Sequence, residues 1–362
     1  MPLVHQIDLC GSIRVVVGNA HPTINYQLST IHCQLSTIHC YMKTVTLGTS
    51  QIQITPIIMG TWQTGKRMWT GIDDSESIKA LQEAFAAGIT TFDTAEIYGE
   101  GHSERIVGEA LAKVRTQVVY ATKVFANHLE YDEVIAACHR SLQNLKTDYL
   151  DLYQIHWPAG SFKSKVVPIE ETMKALNHLK EQGKIRAIGV SNFSRAQLEE
   201  ASQYGRIDSL QPPYSLFWRQ VEQDAMLPYC IQENISILAY SSLAQGLLTG
   251  KFAADHQFQE GDHRAKNKLF CIKENYQRVQ EALTQLRPIA ERNNCTLAQL
   301  ALAWLIAQPQ TNAIVGARNA TQSTANAKAM TVILSPEDLT EIDAIGRTVT
   351  NHLDNNPVMW QF

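Results

Sequence analysis

The hydrophobic pattern from residue 43 onward first alternates and then runs in short apolar blocks. Residues 43–47 and 51–55 alternate around Gly48, Thr49 and Ser50, which predicts a β-hairpin. Eight apolar runs follow, and most are continuous, as is typical of parallel strands buried on both faces. The predicted strands are residues 57–59, 90–93, 118–122, 149–155, 185–190, 209–211, 235–240 and 313–315.

The segments between these runs have the period of amphipathic helices. Ile78, Leu81 and Phe85 share one helical face. Capping sequences at residues 73–76, 194–197 and 296–299 mark helix starts, and so does the Ser-Pro pair at 335–336. Eight alternations of strand and helix predict an α/β fold, a (β/α)₈ TIM barrel with an N-terminal β-hairpin. An open doubly wound sheet is disfavoured because no G-x-G-x-x-G motif opens a strand–helix unit.

Residues 1–41 differ from the rest of the chain. Their only charged side chains are Asp8 and Arg14, and QLSTIHC occurs twice in tandem, at 27–33 and 34–40. Two copies of seven residues are too short to build a repeat architecture. We expect residues 1–41 to be a disordered extension, or sequence upstream of a natural start at Met42, and residues 42–362 to form the barrel domain. Low complexity explains the two His-Cys pairs better than a metal site does, so we expect no metal.

Composition excludes several classes of function. Among the 362 residues 44% are hydrophobic and the net charge is −4, with no basic patch, so we expect no nucleic-acid partner. No apolar run approaches the roughly 20 residues that cross a bilayer, and no signal peptide is visible, so we expect no membrane contact. The seven cysteines are scattered without a C-x-x-C pair. This pattern is typical of reduced thiols in a cytoplasmic protein.

Polar residues stand where the predicted strands end. Asp93 closes the second barrel strand, Tyr98 follows in its loop, and Lys123 and His156 come directly after the third and fourth strands. The carboxyl ends of barrel strands build the active site, so we expect these four side chains to meet there. Further polar groups follow the later strands, at Ser191, Asn192, Gln211, Ser241, Gly316 and Arg318.

The four titratable groups indicate acid–base chemistry at one carbonyl. A buried Lys123 and a buried Asp93 would form an ion pair that neither could sustain alone. A phenol near Lys123 would have its pKa lowered from about 10, so that Tyr98 could give a proton to a substrate oxygen. His156 would orient and polarise the same oxygen.

Four motifs at these residues are similar to signatures of the aldo-keto reductase superfamily. Residues 92–104 read FDTAEIYGEGHSE and resemble the family's D-T-A-x-x-Y-G-x-G-x-S-E signature. Residues 121–123 (ATK), 154–158 (QIHWP) and 183–193 (GKIRAIGVSNF) resemble its third-, fourth- and fifth-strand motifs. The resemblance spans about residues 43–345 and implies NADPH-dependent reduction of aldehydes and ketones.

The resemblance also implies a set of site residues. Asp93, Tyr98, Lys123 and His156 would be catalytic, and NADPH/NADP⁺ would bind without a Rossmann fold. The implied cofactor residues are Ser191, Asn192 and Gln211 at the nicotinamide amide, Tyr214 stacked on the nicotinamide ring, Ser241, Leu243 and Gly246 along the pyrophosphate, and Gly316, Arg318, Gln322 and Asn326 at the adenosine 2′-phosphate. Independently, residues 316–318 open a predicted helix whose N-terminal N–H groups attract phosphate.

Two further features bear on cofactor and substrate. Ser242 stands where the family often has proline, which predicts a less rigid start of the cofactor loop. In the long segment 250–276, Arg264 is a candidate partner of the pyrophosphate. Trp62, Phe125 and Trp157 lie near strand ends and are candidate walls of an apolar pocket for a small-molecule carbonyl substrate.

Two other functions stay open at this point. The chain could sense the NADP(H) redox state for a partner, as in the potassium-channel β subunits that share this resemblance. It could also be a lyase that forms a Schiff base through Lys123. Turnover of carbonyls with NADPH distinguishes the first alternative, and borohydride trapping without nicotinamide distinguishes the second. The sequence does not define the oligomeric state.

Overall fold

The computed structural model describes residues 44–67, 69–223, 225–354, 356, 358 and 359. The expectations for residues 1–41 and their His-Cys pairs lie outside this range. The strands are β1 (Val45–Thr46), β2 (Gln53–Ile54), β3 (Ile57–Gly60), β4 (Thr91–Asp93), β5 (Val119–Val124), β6 (Leu150–Ile155), β7 (Ile185–Ser191), β8 (Ser209–Gln211), β9 (Ser236–Ala239) and β10 (Thr311–Gly316). The helices are α1 (Asp74–Ala86), α2 (His102–Leu111), α3 (Tyr131–Leu145), α4 (Ile169–Glu181), α5 (Arg195–Ser202), α6 (Met226–Gln232), α7 (Lys268–Cys271), α8 (Lys273–Arg292), α9 (Leu297–Ile306), α10 (Ala320–Lys328) and α11 (Pro336–Thr350).

Eight parallel strands close into a barrel in the order β10-β3-β4-β5-β6-β7-β8-β9. This confirms the predicted (β/α)₈ barrel, and every predicted strand is present. All residues of β5 and β6 are buried, because helices cover the barrel outside and side chains fill it inside. None of the helices in the described ranges is both long and apolar enough to cross a bilayer.

The hairpin β1–β2 closes the amino end of the barrel. It is shorter than predicted, with the pairs Val45↔Ile54 and Thr46↔Gln53. Its turn needs Gly48, where φ is +53° and an added Cβ would lie 2.5 Å from the carbonyl oxygen of Asp208. The Gly48 N–H donates to Ser236 Oγ at the start of β9, over 2.8 Å. The hairpin therefore seals the end opposite the polar strand termini.

Helix starts follow the predicted capping residues. Ser194 with Gln197, and Thr296 with Gln299, form complete capping boxes at α5 and α9. At α1, the Asp73 side chain accepts a hydrogen bond from the Glu76 N–H. This is the N-cap bond of a capping box, without the second bond from the Glu76 side chain to the Asp73 backbone. Pro336 occupies the first turn of α11, as predicted. These caps fix where each helix begins and thus the length of the loops at the polar end of the barrel.

Candidate active site

The predicted catalytic residues come together at the carboxyl end of three adjacent strands. Asp93 is the last residue of β4, Lys123 lies near the end of β5, and His156 follows β6 directly. Strand β5 continues one residue beyond Lys123, further than the sequence predicted. In the strand registers Asp93 pairs with Ala121 and Lys123 pairs with Gln154, so Lys123 and His156 each lie two positions beyond the partner of the preceding residue.

Lys123 is the centre of this cluster. Its side chain is completely buried, and Nζ donates to Asp93 Oδ1 over 2.6 Å and to the Thr94 carbonyl oxygen over 2.7 Å. The Tyr98 hydroxyl oxygen is a third acceptor, 3.4 Å from Nζ. Burial lowers the pKa of Lys123, while the Asp93 carboxylate opposes that shift. An ammonium with these three acceptors is fixed in place beside the phenol.

Tyr98 departs from the expected electrostatics. Its pKa is raised well above the usual value, first by burial and second by the negative charge of Asp93. The expectation of a lowered pKa was wrong, because Asp93 compensates the charge of Lys123 and burial removes the water that would stabilise phenolate. Tyr98 is therefore held as a protonated phenol, the form that can donate a proton.

His156 packs its ring against Tyr98, with ring centroids 5.6 Å apart. Burial, and then the charge of Lys123, lower the pKa of His156 well below its usual value. Its Nδ1 atom is buried and has no hydrogen-bond partner among the described residues. The imidazole is thus neutral and can donate one hydrogen bond to a substrate oxygen.

The residues predicted at the nicotinamide amide hold one another at the ends of β7 and β8. Ser191 Oγ donates to the Gln211 carbonyl oxygen over 2.7 Å, and Gln211 Nε2 donates to Asp93 Oδ2 over 2.9 Å. Asn192, in the left-handed region at φ +61°, donates from Nδ2 to the His156 carbonyl oxygen. Gln154, which the sequence analysis missed, also lies 3.4 Å from Asp93 Oδ2. These amides link the catalytic cluster to the predicted nicotinamide position.

Tyr214 is buried and cannot stack on a ligand in this structure. Its ring is fully buried, packs edge-on against Trp304 at 6.0 Å, and its hydroxyl donates to Glu222 Oε1. Its predicted stacking role is corrected on that ground, since no face of the ring is free.

Tyr240 is better placed and was missed. It directly follows β9, its ring is part-exposed, and its hydroxyl donates to Asn192 Oδ1 over 2.8 Å. Burial, and then the nearby Tyr98, raise the pKa of Tyr240. Its position at the end of the apolar run 235–240 is the same signal that identified the other strand-end residues.

The loop after β9 has Ser242 where the family often has proline. Ser241 lies in the left-handed region at φ +53°, and Gly246 at φ +100°. Ser242 is buried, and its Oγ donates to the Ile314 carbonyl oxygen on β10 over 2.7 Å. Leu243 packs against the core. The looser start of the loop stays a prediction, and the Ser242 hydroxyl supplies one tie between this loop and the neighbouring strand.

At the predicted phosphate end, two side chains support the loop backbone. Gln322 Oε1 accepts from the Arg318 N–H over 2.8 Å, and Asn326 Nδ2 donates to the Gly316 carbonyl oxygen. The Arg318 side chain is exposed and lies over the Trp69 ring, 5.4 Å from its centroid. Gly316 and Arg318 thus lie just before α10, as predicted, and the free N–H groups of its first turn follow them in the chain.

Two more cations approach Arg318. The Arg264 guanidinium lies 5.7 Å from the ring centroid of Trp69 and 5.7 Å from that of Phe252. The Lys251 ammonium lies 4.9 Å from the ring centroid of Phe252. Burial and then Arg264 lower the pKa of both Lys251 and Arg318. Asp262 opposes this shift, because its carboxylate pairs with Arg264, whose Nε donates to Oδ1 over 2.9 Å. Lys251 had no role in the sequence analysis, although it lies in the same loop.

Two of the three predicted pocket walls contact the rings of Tyr98 or His156. Trp62 lies on one side of Tyr98, with ring centroids 6.5 Å apart. Phe125 packs edge-on against His156 at 5.6 Å on the other side. Trp157 lies farther out, beyond these rings, and reaches them through Phe162. The site therefore combines a protonated phenol, a neutral imidazole and neighbouring aromatic rings.

Comparison with known proteins agrees with this geometry. A model of the aldo/keto reductase family matches residues 56–347. The aldo-keto reductase YhdN of Bacillus subtilis (strain 168) is 37% identical over 312 residues, which are 83% of this chain and 92% of that protein. The NADH-specific methylglyoxal reductase of Escherichia coli (strain K12) is 37% identical over 318 residues, which are 82% of this chain and 96% of that protein.

Solved structures share the barrel. The glycerol dehydrogenase AKR11B4 from Gluconobacter oxydans aligns with a TM-score of 0.79 at 32% identity, over 87% of this chain and 98% of that one. An aldo/keto reductase from Klebsiella pneumoniae, solved with NADP and acetate, aligns with a TM-score of 0.66 at 31% identity, over 83% of this chain and 94% of that one. These structures extend the likeness from local motifs to the whole barrel.

Proposed function

The chain belongs to the aldo/keto reductase family of oxidoreductases, whose members reduce carbonyls with a nicotinamide cofactor, and on that premise we propose that it reduces aldehydes and ketones to alcohols with NADPH, using Tyr98 as the proton donor. The observation that carries this proposal is the buried phenol of Tyr98, kept protonated 3.4 Å from the Lys123 ammonium. A donor must hold its proton until the carbonyl oxygen gains charge, and this environment has that property.

Each of the four side chains has a separate role at the carbonyl oxygen. Tyr98 Oη gives its proton to that oxygen, and Lys123 then stabilises the phenolate that remains. Asp93 keeps Lys123 charged and in position over 2.6 Å. Neutral His156 donates a hydrogen bond to the same oxygen and orients it. A reduced nicotinamide, when bound, would supply the hydride for the carbonyl carbon.

The residues present fit such a cofactor. Ser191, Asn192 and Gln211 offer polar groups to the carboxamide, and the part-exposed ring of Tyr240 replaces Tyr214 as the stacking surface. At the other end, the buried Trp69 Nε1–H has no hydrogen-bond partner among the described residues and lies next to two arginines. An unpaired donor between two cations is suited to a phosphate oxygen.

Preference for NADPH over NADH is the finer part of the proposal. One relative at 37% identity is an NADH-specific reductase, so family membership alone does not decide it. Arg318 and Lys251 favour NADPH, because its additional 2′-phosphate is attracted by positive charge, while the nearby Arg264 is already paired with Asp262. Ser241, Leu243 and Gly246 would then follow the pyrophosphate, and Gln322 and Asn326 would support the Arg318 loop.

A carbonyl panel with NADPH and NADH, run on wild type and Tyr98→Phe, tests the proposal. We expect wild-type turnover with higher kcat/KM for NADPH, and a loss of at least about 100-fold in kcat for the variant. Unchanged activity in Tyr98→Phe contradicts the proton-donor role. Tight NADPH binding without turnover of any carbonyl would instead support the redox-sensing alternative. Borohydride trapping is expected to be negative, because Lys123 already has three acceptors around Nζ.

A further inference from the structure

Glu96 is a mostly buried carboxylate in the loop after β4, two residues before Tyr98. It stands at a position that the signature D-T-A-x-x-Y-G leaves unspecified. Its side chain is only 10% exposed, and a carboxylate is rarely so buried unless partners compensate for the lost hydration. None of the proposed catalytic or cofactor roles falls on it. A buried charge so close to the proton donor indicates a role in the architecture of the site.

The Glu96 carboxylate has three partners, all of them from the next strand–helix unit. Oε1 accepts from the Phe125 backbone N–H over 2.8 Å and lies 3.0 Å from His128 Nδ1. Oε2 accepts from the Arg140 guanidinium on α3 over 3.1 Å. Phe125 and His128 lie between β5 and α3, so this carboxylate ties the loop after β4 to the loop after β5. Hydrogen bonds to a charged acceptor are stronger than neutral ones.

Both ends of this link lead to the proposed catalytic groups. On one side, Tyr98 follows Glu96 by two residues. On the other side, Phe125 follows Lys123 by two residues and packs its ring against His156, with centroids 5.6 Å apart. The distance from Tyr98 Oη to Lys123 Nζ is 3.4 Å, which is long for a hydrogen bond. A small movement of the two loops apart would therefore break this contact.

The loop after β4 has separate supports on its other side. Ser103 Oγ donates to the Thr61 carbonyl oxygen over 2.9 Å. The Tyr98 backbone packs against Gly65, where an added Cβ would lie 2.6 Å from the Tyr98 carbonyl carbon. These contacts hold the loop toward the turn after β3, whereas Glu96 holds it toward β5. We therefore expect the loop to stay folded without the Glu96 carboxylate, but with the phenol less closely placed.

We propose that Glu96 is a positioning residue, which holds the Tyr98 phenol at its place beside Lys123 and His156 through the bond to the Phe125 N–H. This deepens the proposed function and rests on it. A misplacement of reacting groups by about 1 Å costs about 100-fold in rate. Because Glu96 is one of several supports, its loss should have a smaller effect, on kcat and not on binding.

The test compares carbonyl reduction with NADPH by wild type, Glu96→Ala and Glu96→Gln. Glu96→Ala should lower kcat about tenfold, with the carbonyl KM and the NADPH Kd changed less than about twofold. Glu96→Gln keeps an acceptor for the Phe125 N–H and should stay within about threefold of the wild-type kcat. Glu100→Gln is the matched control on the same loop and should have no effect, because the Glu100 side chain is 85% exposed.

Two further measurements separate positioning from a general loss of structure. The solvent deuterium isotope effect on kcat should increase in Glu96→Ala, because proton transfer from Tyr98 becomes slower relative to the other steps. Hydrogen exchange of the Phe125 amide in the NADPH complex should be faster in Glu96→Ala than in wild type or Glu96→Gln.

The exchange measurement does not require turnover. If wild type reduces no carbonyl and the Phe125 amide still exchanges faster in Glu96→Ala, the proposed function fails while the link between the two loops stands. An unchanged kcat, an unchanged isotope effect or an unchanged exchange rate in Glu96→Ala would each overturn the positioning role in an enzyme that is otherwise active.

Discussion

At the scale of single residues, the protonation of Tyr98 sets the expected pH dependence of reduction. Burial and Asp93 raise its pKa above the usual value of 10.0, so the donor stays protonated through neutral pH. His156, whose pKa is lowered, is neutral throughout the same range. We therefore expect kcat for carbonyl reduction to be flat from about pH 6.5 to about pH 10 and to fall only above that.

Steady-state rates with saturating cofactor and carbonyl, measured at intervals of half a pH unit, check this profile. The thermal stability of the protein at each pH serves as the control for unfolding. An alkaline limb with a midpoint below pH 9 would show that the Lys123 charge dominates over burial, as the sequence analysis had expected.

The four proposed catalytic positions could be predicted from sequence because three of them end or follow an apolar run, and Tyr98 lies in the loop after one. Tyr98, Lys123 and His156 needed only the rule that barrel strands expose their carboxyl ends to the active site. The pKa of Tyr98 could not be predicted, since it depends on how completely the cluster is buried and on the 2.6 Å contact between Lys123 and Asp93. The choice of Tyr240 over Tyr214 as the stacking residue likewise depends on burial, because Tyr214 is fully buried and Tyr240 is part-exposed.

At the scale of elements, Ser242 takes over the role that a proline would have in the cofactor loop. Its buried hydroxyl bonds to β10, while the following backbone passes through left-handed residues at Gln245 and Gly246. Ser242→Ala removes that tie, at a cost of about 1 kcal/mol. We expect weaker NADPH binding, by about fivefold, with kcat at saturation nearly unchanged.

Fluorescence titration of NADPH measures this change in Kd. Ser202→Ala is a matched control, because Ser202 also donates its hydroxyl to a backbone carbonyl oxygen, that of Leu198, but on α5. An unchanged Kd in Ser242→Ala would mean that the loop is positioned by its other contacts.

The existence of the elements was more predictable than their limits. Apolar runs and capping residues identified all eight barrel strands and the starts of α5, α9 and α11. The hairpin strands are shorter than the alternating pattern indicated, because only two residue pairs make ladder contacts. Helix α7 lies inside the segment 250–276 that was treated as a long loop, and α8 begins there at Lys273 and continues to Arg292.

At the scale of the whole molecule, closure of the barrel joins residues far apart in sequence. Gln211 reaches Asp93 across 118 residues, a contact that no local pattern contains and that only the predicted fold makes expected. Glu104 likewise connects three elements through hydrogen bonds, on the outside of the barrel. Fully buried on α2, it accepts from Thr122 Oγ1 on β5 over 2.7 Å and from Asn144 Nδ2 on α3 over 2.9 Å.

Burial raises the pKa of Glu104, while its hydrogen bonds oppose the shift. Below the unfolded pKa of about 4.5, both states of the protein are protonated at this group. As the pH rises, the unfolded chain releases this proton first, so the contribution of Glu104 to stability declines with pH up to the folded pKa. Glu104→Gln abolishes this decline. Its Tm relative to wild type should therefore increase between pH 4.5 and pH 8, by about 2–4 °C for each kcal/mol.

The pH dependence is the readout, because glutamine offers only one acceptor where the carboxylate had two. Calorimetric scans of wild type, Glu104→Gln and the exposed control Glu109→Gln on the same helix measure it. A difference in Tm that does not change with pH would show that Glu104 ionises in the folded protein as easily as in the unfolded chain. In that case the link between α2, β5 and α3 would be a charged one, held by hydrogen bonds strong enough to compensate for complete burial.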